Sequence, residues 1–130
     1  MADGDALSAG LHASTAEFGW CSHVGRVRVR NEDALHVDPA GRFAILADGM
    51  GGYRGGDVAA SIAVSVVSTL LAACVDERSD RDSVVTLLLD ATRDANRAIH
   101  VAGQRAPELA GMGCTLVVAV FLREEVISAH

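Results

Sequence analysis

Three observations along the chain predict an α+β fold. Short apolar runs bounded by turn residues come first, two long stretches with apolar residues at i, i+4 spacing follow, and short apolar runs return at the end. Half of the 130 residues are apolar, enough for one modest domain with a buried core. A helix pair packed on an antiparallel sheet satisfies that order of elements.

Residues 1–15 are small and polar without useful periodicity and are expected to form a mobile leader, with the domain occupying 16–130. FGWCSHVG predicts a first strand, the stretch from Ala34 to Val37 a second, and RFAILAD a third, with Asp38, Pro39 and Gly41 turning between the last two. From Phe43 to Ala47 the run is almost wholly apolar, as in a strand buried on both faces, and it stops at Asp48 before GMGGYRGG. A carboxylate at the end of a buried strand, leading into a glycine-rich loop, is the arrangement of a site.

The loop feeds a helix that Asp57 can cap, running from Val58 to about Cys74, with Val58, Ile62, Val66 and Leu70 at i, i+4 spacing and Ala59, Ala63 and Val67 beside them. After the charged break DERSDRD a second helix is expected from about Ser83 to Gln104. Val84, Leu88, Ala91, Ala95 and Ile99 form its apolar stripe, and Pro107 marks its end. GMGCTLVVAVFL then reads as one buried strand and EEVISAH as the start of another.

A net charge of −6, from 17 acidic against 11 basic residues, gives no footprint for nucleic acid or an anionic membrane surface. Every basic residue other than histidine is arginine, in keeping with codon bias in a GC-rich bacterial genome. Cys21, Cys74 and Cys114 are odd in number and far apart, which suits neither a disulfide framework nor a zinc cluster. No run of 18 or so consecutive apolar residues is present, and MADGDALSAG lacks the basic and apolar regions of a signal peptide, so the cytoplasm is the expected location.

Three acidic groupings could bind metal: Glu32 with Asp33, Asp48, and Asp57. Oxygen ligands without a cysteine or histidine cluster favour a hard cation such as Mg2+ or Mn2+ over zinc. Taken singly, each carboxylate also fits a helix cap or a solvated charge, and Asp57 fits a cap best. Arg26, Arg28 and Arg30 also fit a strand with alternating exposed arginines. His12, His23, His36, His100 and His130 show no ligand-set spacing and read as surface or strand residues, while Met112 and Cys114 read as core and turn residues. The glycine loop matches neither GxGxxG nor GxxxxGK[ST], and there is no lysine, which excludes a P-loop.

Four segments in order carry more weight together: VRVRNEDA; ADGMGG, whose aspartate follows Asp33 by 15 residues; GGDVAA opening a helix; and MGCTLV opening a strand. They resemble the PP2C (PPM) family of metal-dependent protein serine/threonine phosphatases, in its compact bacterial branch, from about Gly19 to the last residue. The resemblance implies the N-terminal half of an α-β-β-α sandwich, in which antiparallel sheets are flanked by antiparallel helix pairs. It implies hydrolysis of phosphoserine and phosphothreonine by a metal-activated water at a dinuclear Mg2+ or Mn2+ site, with two or more ions in the complete domain. Asp48 would bridge the cations, the Gly49 carbonyl would ligate one, and Glu32 and Asp33 would hold metal-bound waters. Arg28, five residues before Asp33, would grip the substrate phosphate through two hydrogen bonds and share the catalytic role with Asp48.

Met50 stands where animal-type relatives carry a histidine proposed as general acid, so the resemblance assigns no proton donor to the leaving group. Implied partners are phosphoserine and phosphothreonine proteins made by bacterial Ser/Thr kinases, with no nucleic acid and no membrane. The family's GDSR-type turn, second helix pair and further aspartates follow the segment matched here, so the domain is expected to be truncated on its C-terminal side. An apolar sheet face left uncovered would then invite dimerisation, aggregation or a partner chain. The alternative function is a catalytically impaired module that binds a phosphoprotein or a kinase.

Overall fold

The computed structural model describes residues 17–50 and 55–130. The leader and residues 51–54, most of the glycine loop, lie outside the described residues. Strands β1 (Asp33–Val37) and β2 (Phe43–Met50) form an antiparallel hairpin, followed by helices α1 (Gly56–Cys74) and α2 (Arg81–Arg105). A 3-10 turn at Pro107–Leu109 ends the helical section, and β3 (Gly113–Cys114), β4 (Val117–Phe121) and β5 (Val126–Ala129) complete a sheet of order β1-β2-β4-β5, with β3 also paired to β2. This is the α+β arrangement of a sheet carrying a helix pair.

The hairpin forms where the sequence supplies its turn. Gly41 takes φ +72°, open to glycine at no steric cost, and its N–H bonds the Asp38 carbonyl at 2.8 Å. Arg42 fastens the turn to the helices. Its guanidinium makes a two-pronged pair with buried Asp38 (Nε to Oδ2 2.7 Å, Nη2 to Oδ1 2.8 Å), and its Nη1 bonds the Val75 carbonyl at 2.6 Å at the end of α1. One side chain thus satisfies carbonyls that a helix terminus leaves without partners and neutralises a buried carboxylate.

All five residues of the α2 stripe are buried, and Asp80 caps the helix by accepting the Ser83 N–H at 3.0 Å. α1 differs from expectation. Its buried face is Ala59, Ala60, Ala63, Val64, Val67 and Leu71, while Val58, Ile62, Val66 and Leu70 are half-buried against the core. The helix is apolar almost all round, so several i, i+4 series fit it equally and spacing alone cannot choose the core stripe. Its best window has mean hydropathy 1.9, enough by length and composition to cross a membrane, but here its small residues pack on the sheet and on α2.

The strands differ too. β2 is not buried on both faces: Phe43, Ile45, Ala47 and Gly49 face the helices, whereas Leu46 and Asp48 are exposed on the other side. Leu46 is 47 % and its cross-strand partner Val117 is 44 % accessible, the uncovered apolar face expected of one sheet without a second layer. The segment 18–25 forms no strand. Phe18 instead packs its ring edge-on against Phe121, centroids 5.2 Å apart, so apolar contact with the sheet takes the place of ladder pairing. The run after Gly111 is split into β3 and β4 by Thr115 and Leu116.

The Arg42 guanidinium beside Asp38 holds that carboxyl below its usual range. Arg42→Gln is expected to lower stability by about 2–3 kcal/mol in urea titrations near pH 7. Because the folded-state pKa of Asp38 is depressed, its stabilisation is complete above about 3.9, the unfolded value, and is lost as pH falls through the lower folded value. The gap between wild type and variant should therefore narrow under strongly acid conditions to what the bonds of Arg42 to the end of α1 contribute.

Candidate metal and phosphate site

The sheet register brings two predicted carboxylates together. Asp33, the first residue of β1, lies directly opposite Asp48 of β2. The Gly49 N–H donates to the Glu32 carbonyl at 3.0 Å, so the next pair, Asp33 with Asp48, is of the closely spaced type, with Cα atoms about 4.5 Å apart and side chains on one face. Both are exposed, on the sheet face away from the helices. Like charges directly opposite destabilise a strand pair unless something positive lies between them.

Glu32 goes the other way. Successive residues alternate faces, and its carboxylate packs against the first turn of α1, where a Cβ on Gly56 would come within 2.8 Å of its Oε1 and 2.9 Å of the Gly49 carbonyl carbon. Glu32 and the Gly49 carbonyl are therefore neighbours at a helix N-terminus, which favours negative charge. A Cβ on Gly49 would lie 2.0 Å from the Gly56 carbonyl oxygen and 2.7 Å from that of Glu32. Gly49 is required by close approach of three backbones, not by an unusual dihedral.

Arg28 stands beside this group, its side chain 66 % exposed and only 3.9 Å from Glu32, a loose pairing that leaves the guanidinium available. Arg30 pairs with Asp57 at 3.4 Å. Asp57 is not the cap: Gly55 holds that position without a side-chain bond, and Asp57 sits in the first turn with Oδ1 on the Val58 N–H at 3.0 Å. The helix starts earlier than spacing implied because Gly56 joins its first turn and Gly55 caps it.

Two supporting groups escaped the sequence reading. The Ser22 hydroxyl donates to Asp33 Oδ2 at 3.3 Å and accepts from Asn31 Nδ2 at 2.6 Å, while Asn31 Oδ1 accepts the Asp33 N–H at 3.1 Å. Thr115 brackets the Asp48 backbone, accepting its N–H on Oγ1 at 3.2 Å and donating its own N–H to its carbonyl at 2.8 Å. Asn31 and Thr115 lie within motifs the sequence marked, but the contacts of Ser22 and Thr115 span 9 and 67 residues and no local pattern reveals them.

The donor chemistry is that of a hard cation: an opposed carboxylate pair at the end of the hairpin, with the backbone carbonyl of Gly49 next to it in the chain. Among the described residues no three His, Cys, Asp or Glu side chains form a complete metal cluster. Asp48 and the Gly49 carbonyl fit Mg2+ or Mn2+ as part of a ligand set, with Asp33 placed to hold water beside them.

The protein phosphatase 2C family model matches residues 22–130. Among curated relatives, the serine/threonine protein phosphatase PstP of Mycobacterium tuberculosis is 34 % identical over 100 residues, covering 77 % of this chain and 18 % of PstP. The protein phosphatase PhpP of Streptococcus pneumoniae is 36 % identical over 118 residues, covering 88 % of this chain and 46 % of PhpP. The chain thus spans less than half the length of these relatives. A crystal structure of the M. tuberculosis serine/threonine phosphatase PstP/Ppp superposes with a TM-score of 0.71 at 33 % identity, over 82 % of this chain and 42 % of that one. The catalytic domain of PstP in complex with two manganese ions superposes with a TM-score of 0.65 at 34 % identity, over 78 % and 41 %.

Gly49→Ala tests the packing of this corner. Its methyl would meet backbone rather than a flexible side chain, so a loss of at least about 3 kcal/mol, the upper range for overpacking, is expected in thermal or urea unfolding.

Proposed function

The chain belongs to the protein phosphatase 2C family, and from that membership we propose that it contributes the metal-binding and phosphate-gripping part of a phosphatase acting on phosphoserine and phosphothreonine in proteins. The observation that carries the reading is the Asp33–Asp48 pair on the open sheet face, with Gly49 next to Asp48 in the chain and Arg28 held loosely at Glu32, the residue before Asp33. Divalent ions bound at this corner would supply Lewis acidity and a nucleophile at neutral pH. Asp48 holds the cation, and Asp33, fixed by Ser22 and Asn31, orients water around it. Arg28 takes the phosphate through its exposed guanidinium, exchanging its loose contact with Glu32 for charge-assisted bonds to phosphate oxygens. The phosphoproteins are those that bacterial Ser/Thr kinases produce.

A second reading has one observation in its favour: among the described residues the metal ligand set is partial. The chain would then bind a phosphoprotein or kinase at this corner without turning it over.

Release of phosphate from a phosphothreonine peptide with Mn2+ separates the two. Asp48→Asn is expected to lower kcat by at least about a hundredfold, the scale for losing one preorganised electrostatic group. Arg28→Ala is expected to lower kcat/KM by about 10- to 100-fold, the worth of hydrogen bonds to a charged group, while leaving Mn2+ binding intact. Absence of turnover, together with metal-independent peptide binding that Asp48→Asn leaves unchanged, would decide for the binding module.

A further inference from the structure

The pairing of β2 with the strands beside it has the same register on both sides of a gap: Leu46 lies opposite Val117, and Gly49 lies opposite Cys114. Between them Asp48 and Thr115 stand opposite each other, in a position where an antiparallel pair exchanges two backbone bonds. Only one of these is present. The Thr115 N–H donates to the Asp48 carbonyl at 2.8 Å, but the Asp48 N–H goes to the Thr115 hydroxyl at 3.2 Å in place of the Thr115 carbonyl. A side chain has replaced one rung of the ladder at the residue whose carboxylate forms the site.

We infer that Thr115 is a positioning residue for the metal site, its hydroxyl setting the Asp48 backbone so that the carboxylate faces Asp33 and the cation. The hydroxyl holds the Asp48 N–H off the regular ladder, which interrupts the strand between β3 and β4 and fixes where Asp48 projects. Without that acceptor the Asp48 amide either loses its partner or moves to the Thr115 carbonyl, and each outcome re-aims the carboxylate. Valine has nearly the same shape but no acceptor; serine keeps the acceptor and loses the methyl. The inference rests on Asp48 being a cation ligand.

The test is calorimetric titration of the full chain with Mn2+, paired with melting of the metal-free protein. Asp48→Asn tests the underlying reading: a wild type that takes up no Mn2+, or an Asp48→Asn variant that binds as well as wild type, overturns the ligand assignment and this inference with it. With that assignment standing, Thr115→Val is expected to weaken Mn2+ binding about tenfold or more, and Thr115→Ser to stay within about threefold of wild type, the first matching the loss seen when a group supporting a metal ligand is removed. The metal-free melting temperatures of wild type and Thr115→Ser should agree. Thr115→Val binding Mn2+ like wild type overturns the positioning role alone. Should Thr115→Val not fold, Thr115→Ser decides by itself: wild-type affinity supports the role of the hydroxyl, and a tenfold loss overturns it.

Discussion

The site depends on how closely three backbone segments meet at Gly49. The end of β2, the residue preceding β1 and the first turn of α1 converge there with no room for a methyl group. Because the Gly49 N–H is spent on the Glu32 carbonyl, the register of the hairpin end is fixed, and Asp33 must stand across from Asp48. The same approach sets Glu32 against the start of α1, so the carboxylates are distributed by packing rather than by mutual attraction.

That distribution divides the sheet by function. The helix side is filled by Phe43, Ile45, Val118 and Val120 beneath the small residues of α1, whose alanines allow the helix to lie close. The other side carries the acidic pair at one end and exposed Leu46 and Val117 further along. Charge repulsion between Asp33 and Asp48 is a standing cost to the hairpin, offset in part by the hydroxyl of Ser22 and the backbone bonds through Asn31 and Thr115. A cation of matching hardness bound there would remove the repulsion and so couple metal binding to the order of the strand ends.

Much of this was legible in the sequence, and what was not has physical reasons. The α2 stripe stands out because polar residues separate its apolar positions, and all five are buried; α1 has too few polar residues to mark a face. Asp48 could be read as site-like from its place between an apolar strand and glycines. The strand expected over 18–25 is absent because residue types alone cannot tell a ladder strand from a segment held by side-chain contacts, here Phe18 on Phe121 and Ser22 on Asn31 and Asp33. Burial of β2 on both faces was misjudged because an apolar run looks the same whether one layer or two cover it. Thr115 was read only as part of a segment that identifies the family, since its effect on Asp48 lies in a rung exchange that appears only in three dimensions.

In the proposed function the end of the β1–β2 hairpin holds a divalent cation at Asp48, with Asp33 across the strand pair holding its water. Paramagnetic broadening of backbone amide signals by substoichiometric Mn2+ tests it most directly, since the effect falls steeply with distance from the ion. A cation at this corner broadens Asp33, Asp48, Gly49 and Thr115 first, and Asp48→Asn abolishes the effect. Broadening centred elsewhere, or spread evenly over the acidic surface, would contradict it.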